Sequence, residues 1–109
     1  MPEALLAIDA GTTSVRDIPA IGVTIQSASC VVWERASGRA VSPLVSWQDL
    51  RGVDRAAELS ASEFFVMPQS AAAKLESVLD SIPDGRQRAN TGELAWGNID
   101  SYLVHCLSG

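Results

Sequence analysis

The stretch Leu5-Leu6-Ala7-Ile8-Asp9-Ala10-Gly11-Thr12-Thr13-Ser14-Val15-Arg16 decides how the rest of the chain is read. Leu5 to Ile8 is short, apolar and soon followed by turn residues, the pattern of a buried strand. An acid, a glycine and three consecutive hydroxyls then fall in one tight turn. Gly11 lets the backbone approach a ligand closely. Thr12, Thr13 and Ser14 add hydroxyl donors to the local N–H groups, and Arg16 offers a fork of donors suited to phosphate. Asp9 is a hard oxygen donor of the kind Mg²⁺ takes, directly or through water. The same letters also fit an ordinary strand end followed by a Ser/Thr-rich turn, so on this stretch alone both readings stand.

Bulk properties narrow the classes. The 109 residues suit one small domain, and a hydrophobic content of 47% is that of a folded chain. The net charge is −5 with no Lys/Arg cluster, which argues against a nucleic acid or an anionic membrane as partner. Met1-Pro2-Glu3 puts an acid where a secretory signal carries basic charge, and the first apolar run is too short to span a bilayer. Cytoplasmic localisation is therefore expected. Cys30 and Cys106 form no Cys-x-x-Cys unit and are expected as buried, reduced thiols. His105 is the single histidine, so histidine-based metal or triad chemistry has little support.

Further strands are expected at Ala20–Ile25 and Ser29–Glu34. A turn at Ser37-Gly38 then lets Arg39–Val41 return as a paired strand, until Pro43 breaks the pairing. Leu44–Trp47 reads as another short strand. Leu50, Val53 and Ala57 suggest a helix face, weakened by Gly52. Phe64, Phe65 and Met67 are expected to dip into the core from a loop. Ala72, Leu75, Val78 and Leu79 mark a helix that Pro83-Asp84-Gly85 stops, and a short helical turn follows over Arg86 to Asn90. In the last segment Asn98 reads as an N-cap, Asp100 suits the positive helix end, and Gly109 suits a C-terminal αL residue. Ile99, Tyr102, Leu103, Cys106 and Leu107 form its apolar stripe. Trp33 and Trp96 read as packing residues. Strands first and helices after give an α/β class, a mixed sheet with helices.

Several strings together resemble the FGGY carbohydrate kinases. Ala7 to Arg16 is similar to that family's opening phosphate loop, and Ile21-Gly22-Val23-Thr24-Ile25-Gln26 to its Ile-Gly-Ile-Thr-Asn-Gln strand. Val31 to Val41 resembles the next hairpin, and Trp47-Gln48-Asp49 with Arg51 the tryptophan-led segment of the sugar or polyol site. Lys74 to Asp80 and Gly92 to Leu103 continue the match in order.

The resemblance implies a partial actin-like ATPase domain with a ribonuclease-H-like core over residues 1–109, the amino-terminal part of a longer kinase. It implies ATP and Mg²⁺ as cofactors, a sugar or polyol as substrate, and γ-phosphoryl transfer to a substrate hydroxyl. By matched position, Asp9 lies near Mg²⁺, while Gly11, Thr12, Thr13, Ser14 and Arg16 contact nucleotide phosphates. Trp47, Gln26 and Asp49 contact substrate, with Trp47 against the polyol carbons. Asp49 and Arg51 have a second reading, as a solvated ion pair.

Three departures stand out. Members that phosphorylate glycerol follow Asn-Gln with Arg-Glu, where this chain has Ser27-Ala28, and carry Tyr where Gln69 follows Pro68. A strand pair and a helix are missing after Arg16, which runs almost directly into Asp17-Ile18-Pro19. The family's catalytic aspartate and adenine-binding domain lie beyond Gly109, so no catalytic base is assigned. A non-catalytic remnant with weak or no nucleotide binding is the alternative. The missing strand partner leaves a sheet edge that favours self-association.

Overall fold

The computed structural model of the chain describes residues 22–61 and 65–109. Within them the elements run β1 (Val31–Glu34), α1 (Val53–Ser60), α2 (Ala71–Asp80), α3 (Gly85–Asn90), β2 (Leu94–Gly97) and α4 (Ile99–Ser108). This is a small mixed α/β unit with a two-stranded antiparallel sheet among the described residues.

β1 forms where two valines and a tryptophan follow one another, a run suited to a pleated, packed surface. Its register pairs Val31 with Gly97, Val32 with Trp96, Trp33 with Ala95 and Glu34 with Leu94. Alternation then splits the sheet into two faces. Val32 and Leu94 face a core built with Cys30, Val45, Val78 and Ile82, onto which Leu75, Leu79 and Ala89 pack. Trp33 faces the other way, onto α4, with ring centroids 5.3 Å from Tyr102 and 5.7 Å from His105. The sheet is thus a thin layer between α2 and α3 on one side and α4 on the other.

The hairpin after β1 forms as the sequence indicates. Gly38 takes φ +69°, the left-handed conformation a glycine adopts without cost, and its N–H donates to the Glu34 carbonyl at 2.9 Å. Glu34 N–H donates to the Arg39 carbonyl at 3.0 Å and Val41 N–H to the Val32 carbonyl at 2.9 Å, closing a bridge from Trp33 to Ala40. Before Pro43 the Ser42 hydroxyl takes over, accepting from Val32 N–H at 2.9 Å. Leu44–Trp47 contributes a single bridge, Cys30 to Val45, with both backbone hydrogen bonds at 2.8 Å.

Several expectations are corrected. The strand expected over Ala20–Ile25 is absent across residues 22–25, and Ala20 and Ile21 lie outside the described residues. A strand needs a hydrogen-bonded neighbour, and no described segment pairs with this one. β2, by contrast, was not anticipated. The helix expected from Leu50 begins at Val53 and buries Ala56 rather than Leu50, Val53 or Ala57. Gly52 and Ala56 lie one turn apart, and Gly52 sits so close to the Ala73 carbonyl that a Cβ would meet it at 2.9 Å. Small residues therefore set the face that α1 presents to α2, and the larger ones turn outward.

Phe65 and Met67 are 83% and 55% exposed instead of buried. The Ser60 hydroxyl both accepts from Val66 N–H and donates to the Val66 carbonyl, at 2.9 and 3.0 Å, which pins Val66 to the end of α1. Its two neighbours project away; Phe64 lies outside the described residues. Trp96 is half exposed, and Cys106 and Leu107 on α4 are exposed, so the stripe expected there is covered only at its amino-terminal end. Both cysteines are free thiols, Cys30 buried and Cys106 not. Asn98 precedes α4 in extended conformation but makes no capping hydrogen bond; Ile99 N–H donates instead to the Ser29 hydroxyl at 3.1 Å. Gly109 ends α4 at φ +89° as expected. Among the described residues no helix is long and apolar enough to cross a membrane.

Candidate functional site

Of the site residues read from the sequence, Asp9, Gly11, Thr12, Thr13, Ser14 and Arg16 lie outside the described residues. Gln26, Trp47 and Asp49 lie within them, on two loops that flank the core. Gln26 is exposed, Trp47 is 39% exposed and Asp49 is half-buried. Among the described residues no hydrogen bond links these three side chains to one another. Their loops are joined by a residue that the sequence did not single out.

That residue is Lys74. It sits on α2 with 0% exposure, and its Nζ donates to the Ala28 carbonyl at 3.1 Å and to the Ser46 carbonyl at 2.7 Å. Ala28 lies two residues after Gln26, and Ser46 immediately before Trp47. Both loops therefore hang from one ammonium. Burial pushes the Lys74 pKa down from its ordinary value, opposed by the Asp49 charge. A signal for this residue was present. Ala71, Lys74, Leu75, Val78 and Leu79 follow i, i+3, i+4, i+7, i+8, so Lys74 occupies a core position of the α2 stripe.

Ala28 itself is strained. Its φ of +59° lies in the left-handed region, which costs an L-residue with a Cβ roughly 1–2 kcal/mol. The strain sits where Ser27-Ala28 turns the chain toward the buried Ser29. Backbone held in such a conformation is over-determined by its surroundings, here by the Lys74 hydrogen bond to the Ala28 carbonyl.

Asp49 and Arg51 resolve as an ion pair. Asp49 Oδ1 accepts from Arg51 Nε at 2.9 Å and from Arg51 N–H at 3.0 Å, and Oδ2 accepts from Nη2 at 2.9 Å. These hydrogen bonds hold the Asp49 carboxyl below the usual carboxylate range and raise the Arg51 guanidinium. The two-toothed geometry fixes the turn that leads to α1. It leaves lone pairs on Asp49 for a further hydroxyl donor, since an ionised carboxylate accepts at about four sites. Nearby, burial pushes the Cys30 thiol up, against the positive charges of Lys74 and Arg51. Chemically, the Ser46–Arg51 segment carries a fixed anion, a fixed cation and a partly exposed indole, and Lys74 ties it to the loop that carries Gln26. A carboxylate with unused lone pairs, an exposed amide and an indole are groups suited to hydrogen bonding and to packing against carbon. Among the described residues no group of three or more His, Cys, Asp or Glu side chains is placed to hold a metal ion.

Comparison with known proteins gives the family. No family model matches the chain. Its sequence is 40% identical over 103 residues to a glycerol kinase of Xanthobacter autotrophicus, covering 85% of this chain and 21% of that protein. A glycerol kinase of Nitrobacter hamburgensis is 40% identical over 110 residues, covering 92% of this chain and 22% of that protein. In three dimensions the chain resembles the crystal structure of Plasmodium falciparum glycerol kinase with ADP, with a TM-score of 0.70 at 23% identity. That likeness covers 81% of this chain and 19% of the other, and it bears on the fold. The chain belongs to the FGGY carbohydrate kinases. Within that family its likeness is to glycerol kinases, and it spans about a fifth of the length of the curated relatives it matches.

Proposed function

We propose that this chain carries part of the nucleotide and polyol machinery of an ATP-dependent sugar or polyol kinase. Residues 1–109 then represent a partial amino-terminal domain with the actin-like, ribonuclease-H-like fold. The observation that supports this reading most is the 40% identity to glycerol kinases over 103 residues.

In this reading Gly11, Thr12, Thr13, Ser14 and Arg16 hold nucleotide phosphates, and Asp9 serves Mg²⁺. One carboxylate beside three hydroxyls is the hard-oxygen donor set that ion takes. ATP supplies the phosphoryl group when bound. Trp47 packs against the carbon face of the polyol, Asp49 accepts from its hydroxyls, and Gln26 adds an amide that both donates and accepts. Phosphoryl transfer rests on positioning and charge stabilisation, so fixed groups of this kind are what the reaction needs from the domain.

Glycerol itself fits poorly. Ser27-Ala28 follows Gln26 where members that phosphorylate glycerol carry Arg-Glu, and Gln69 follows Pro68 where they carry Tyr. A different polyol therefore fits better. The same two observations favour the second reading, a non-catalytic remnant that keeps the loops without the chemistry. Calorimetry of the chain with Mg–ATP tests the nucleotide half. Wild type is expected to give binding heat that Asp9→Ala loses; equal heats for the two proteins would remove the phosphate role.

A further inference from the structure

Lys74 is the single lysine of the chain, and it has no exposed surface. Lysine is almost never fully buried unless paired. Among the described residues the ammonium's hydrogen-bond acceptors are two backbone carbonyls, and the nearby carboxylate, Asp49, is held by Arg51. An ammonium in this position is costly. A methionine of similar length would fill the same path through the α2 face without that cost, so packing does not account for a lysine here. The two carbonyls do. They belong to segments far apart in sequence, one following Gln26 and the other preceding Trp47 and the Asp49–Arg51 turn.

We infer that Lys74 is a positioning residue for the polyol site, its ammonium fixing the Gln26–Ala28 and Ser46–Arg51 segments at one spacing. The inference rests on the polyol reading above. α2 supplies the rigid base, since Val78, one turn further along, lies in the core. From that base the Lys74 stem reaches up between the loops, and its head stops both from sliding. The left-handed turn at Ala28 is held by one of these hydrogen bonds. The carbonyl at the root of Trp47 is held by the other, the shorter of the two at 2.7 Å. Lys74 touches no substrate in this arrangement; it determines where the groups that do are placed. Site geometry maintained from a supporting layer in this way is a common requirement of precise binding.

The test uses the whole chain labelled with 5-fluorotryptophan, its three ¹⁹F resonances assigned by single Trp→Phe changes at Trp33, Trp47 and Trp96. Glycerol and then xylitol are titrated as probes. Wild type is expected to shift the Trp47 resonance with xylitol. Lys74→Met should weaken that binding by at least about tenfold, the scale of one lost charge-assisted hydrogen bond. Lys74→Arg, which keeps the charge and donors, should recover most of it. If Met binds as wild type does, or if Arg is the worse replacement, Lys74 fills space and the inference is overturned.

Absence of any wild-type response to either probe would defeat the polyol reading alone. The clamp is then read without ligand, because Lys74→Met should move the Trp47 resonance and leave those of Trp33 and Trp96 in place. An unmoved Trp47 resonance would overturn it. Should Lys74→Met lose the dispersion of all three resonances, the wild type decides. The chain's primary amines are its α-amino group and Lys74, so an amine-reactive ester should add once under native conditions. A second addition in the folded protein would overturn the inference.

Discussion

Ala28→Gly is expected to make the chain more stable, although glycine substitutions usually do the opposite. The reasoning starts from φ +59° at Ala28. Holding a Cβ in the left-handed region costs roughly 1–2 kcal/mol, and glycine removes that cost. Glycine also loses more backbone freedom on folding, which returns roughly 0.5–1 kcal/mol to the unfolded state. Between the midpoints of these two ranges the difference is a net gain of about 0.75 kcal/mol. With a urea m-value of roughly 2 kcal/mol/M for a domain this size, the unfolding midpoint should rise by about 0.3–0.5 M. The slope should stay the same, because no surface is newly buried. An unchanged or lower midpoint at equal slope would refute the strain argument. The link to Lys74 adds a second check. If its hydrogen bond holds the strained turn, Lys74→Met should cost less in the Ala28→Gly background than alone, a non-additivity expected of residues in direct contact.

Two other perturbations probe the frame around the site. Gly85 opens α3 so close to α2 that an added Cβ would collide with the Leu79 carbonyl oxygen and meet Ile82 Cβ at 3.0 Å. Gly85→Ala should therefore destabilise the chain by about 1–3 kcal/mol in urea unfolding, the cost of forced backbone movement, and a wild-type midpoint would contradict the close approach. Glu34 is held down to about 2, from 4.5, by hydrogen bonds from Arg39 and Ser37, with Arg88 adding a further one. A depressed carboxyl contributes stability fully above its unfolded pKa and loses it as pH falls through the folded one. The gap in Tm between wild type and Glu34→Gln should thus be widest above pH 4.5 and close as pH falls to about 2; a gap constant with pH would sink this assignment.

What the letters revealed depended on range. The hairpin was legible because Val31-Val32-Trp33 and Ser37-Gly38 encode it within a few residues. α3 and α4 were legible from Pro83-Asp84-Gly85 and from Gly109, which act locally too. β2 was missed because Leu94-Ala95-Trp96-Gly97 becomes a strand through β1, sixty residues earlier, and not through any pattern of its own. The face of α1 was misread because contact with α2 is governed by how small Gly52 and Ala56 are, which periodicity of large apolar residues does not register. The expected burial of Phe65 and Met67 failed against one hydroxyl, Ser60, whose reach to Val66 no hydropathy pattern contains.

The site shows the same division. Trp47 and Asp49 were named through likeness to a family, and Asp49 with Arg51 had an ion pair as its second reading, which the geometry bears out. Lys74 was passed over because a lysine in a helix is ordinarily taken for a solvated side chain. Its place in the stripe of Leu75, Val78 and Leu79 was the clue.

The burial of that lone lysine has a practical consequence. A protease that cuts after lysine has one sequence site in this chain, and the folded structure hides it. Digestion then proceeds only through openings that bring α2 into solvent, and it severs the chain once. The digestion rate becomes a direct meter of how often the core around Val78 comes apart, with no label, no engineered site and no background from loop nicking.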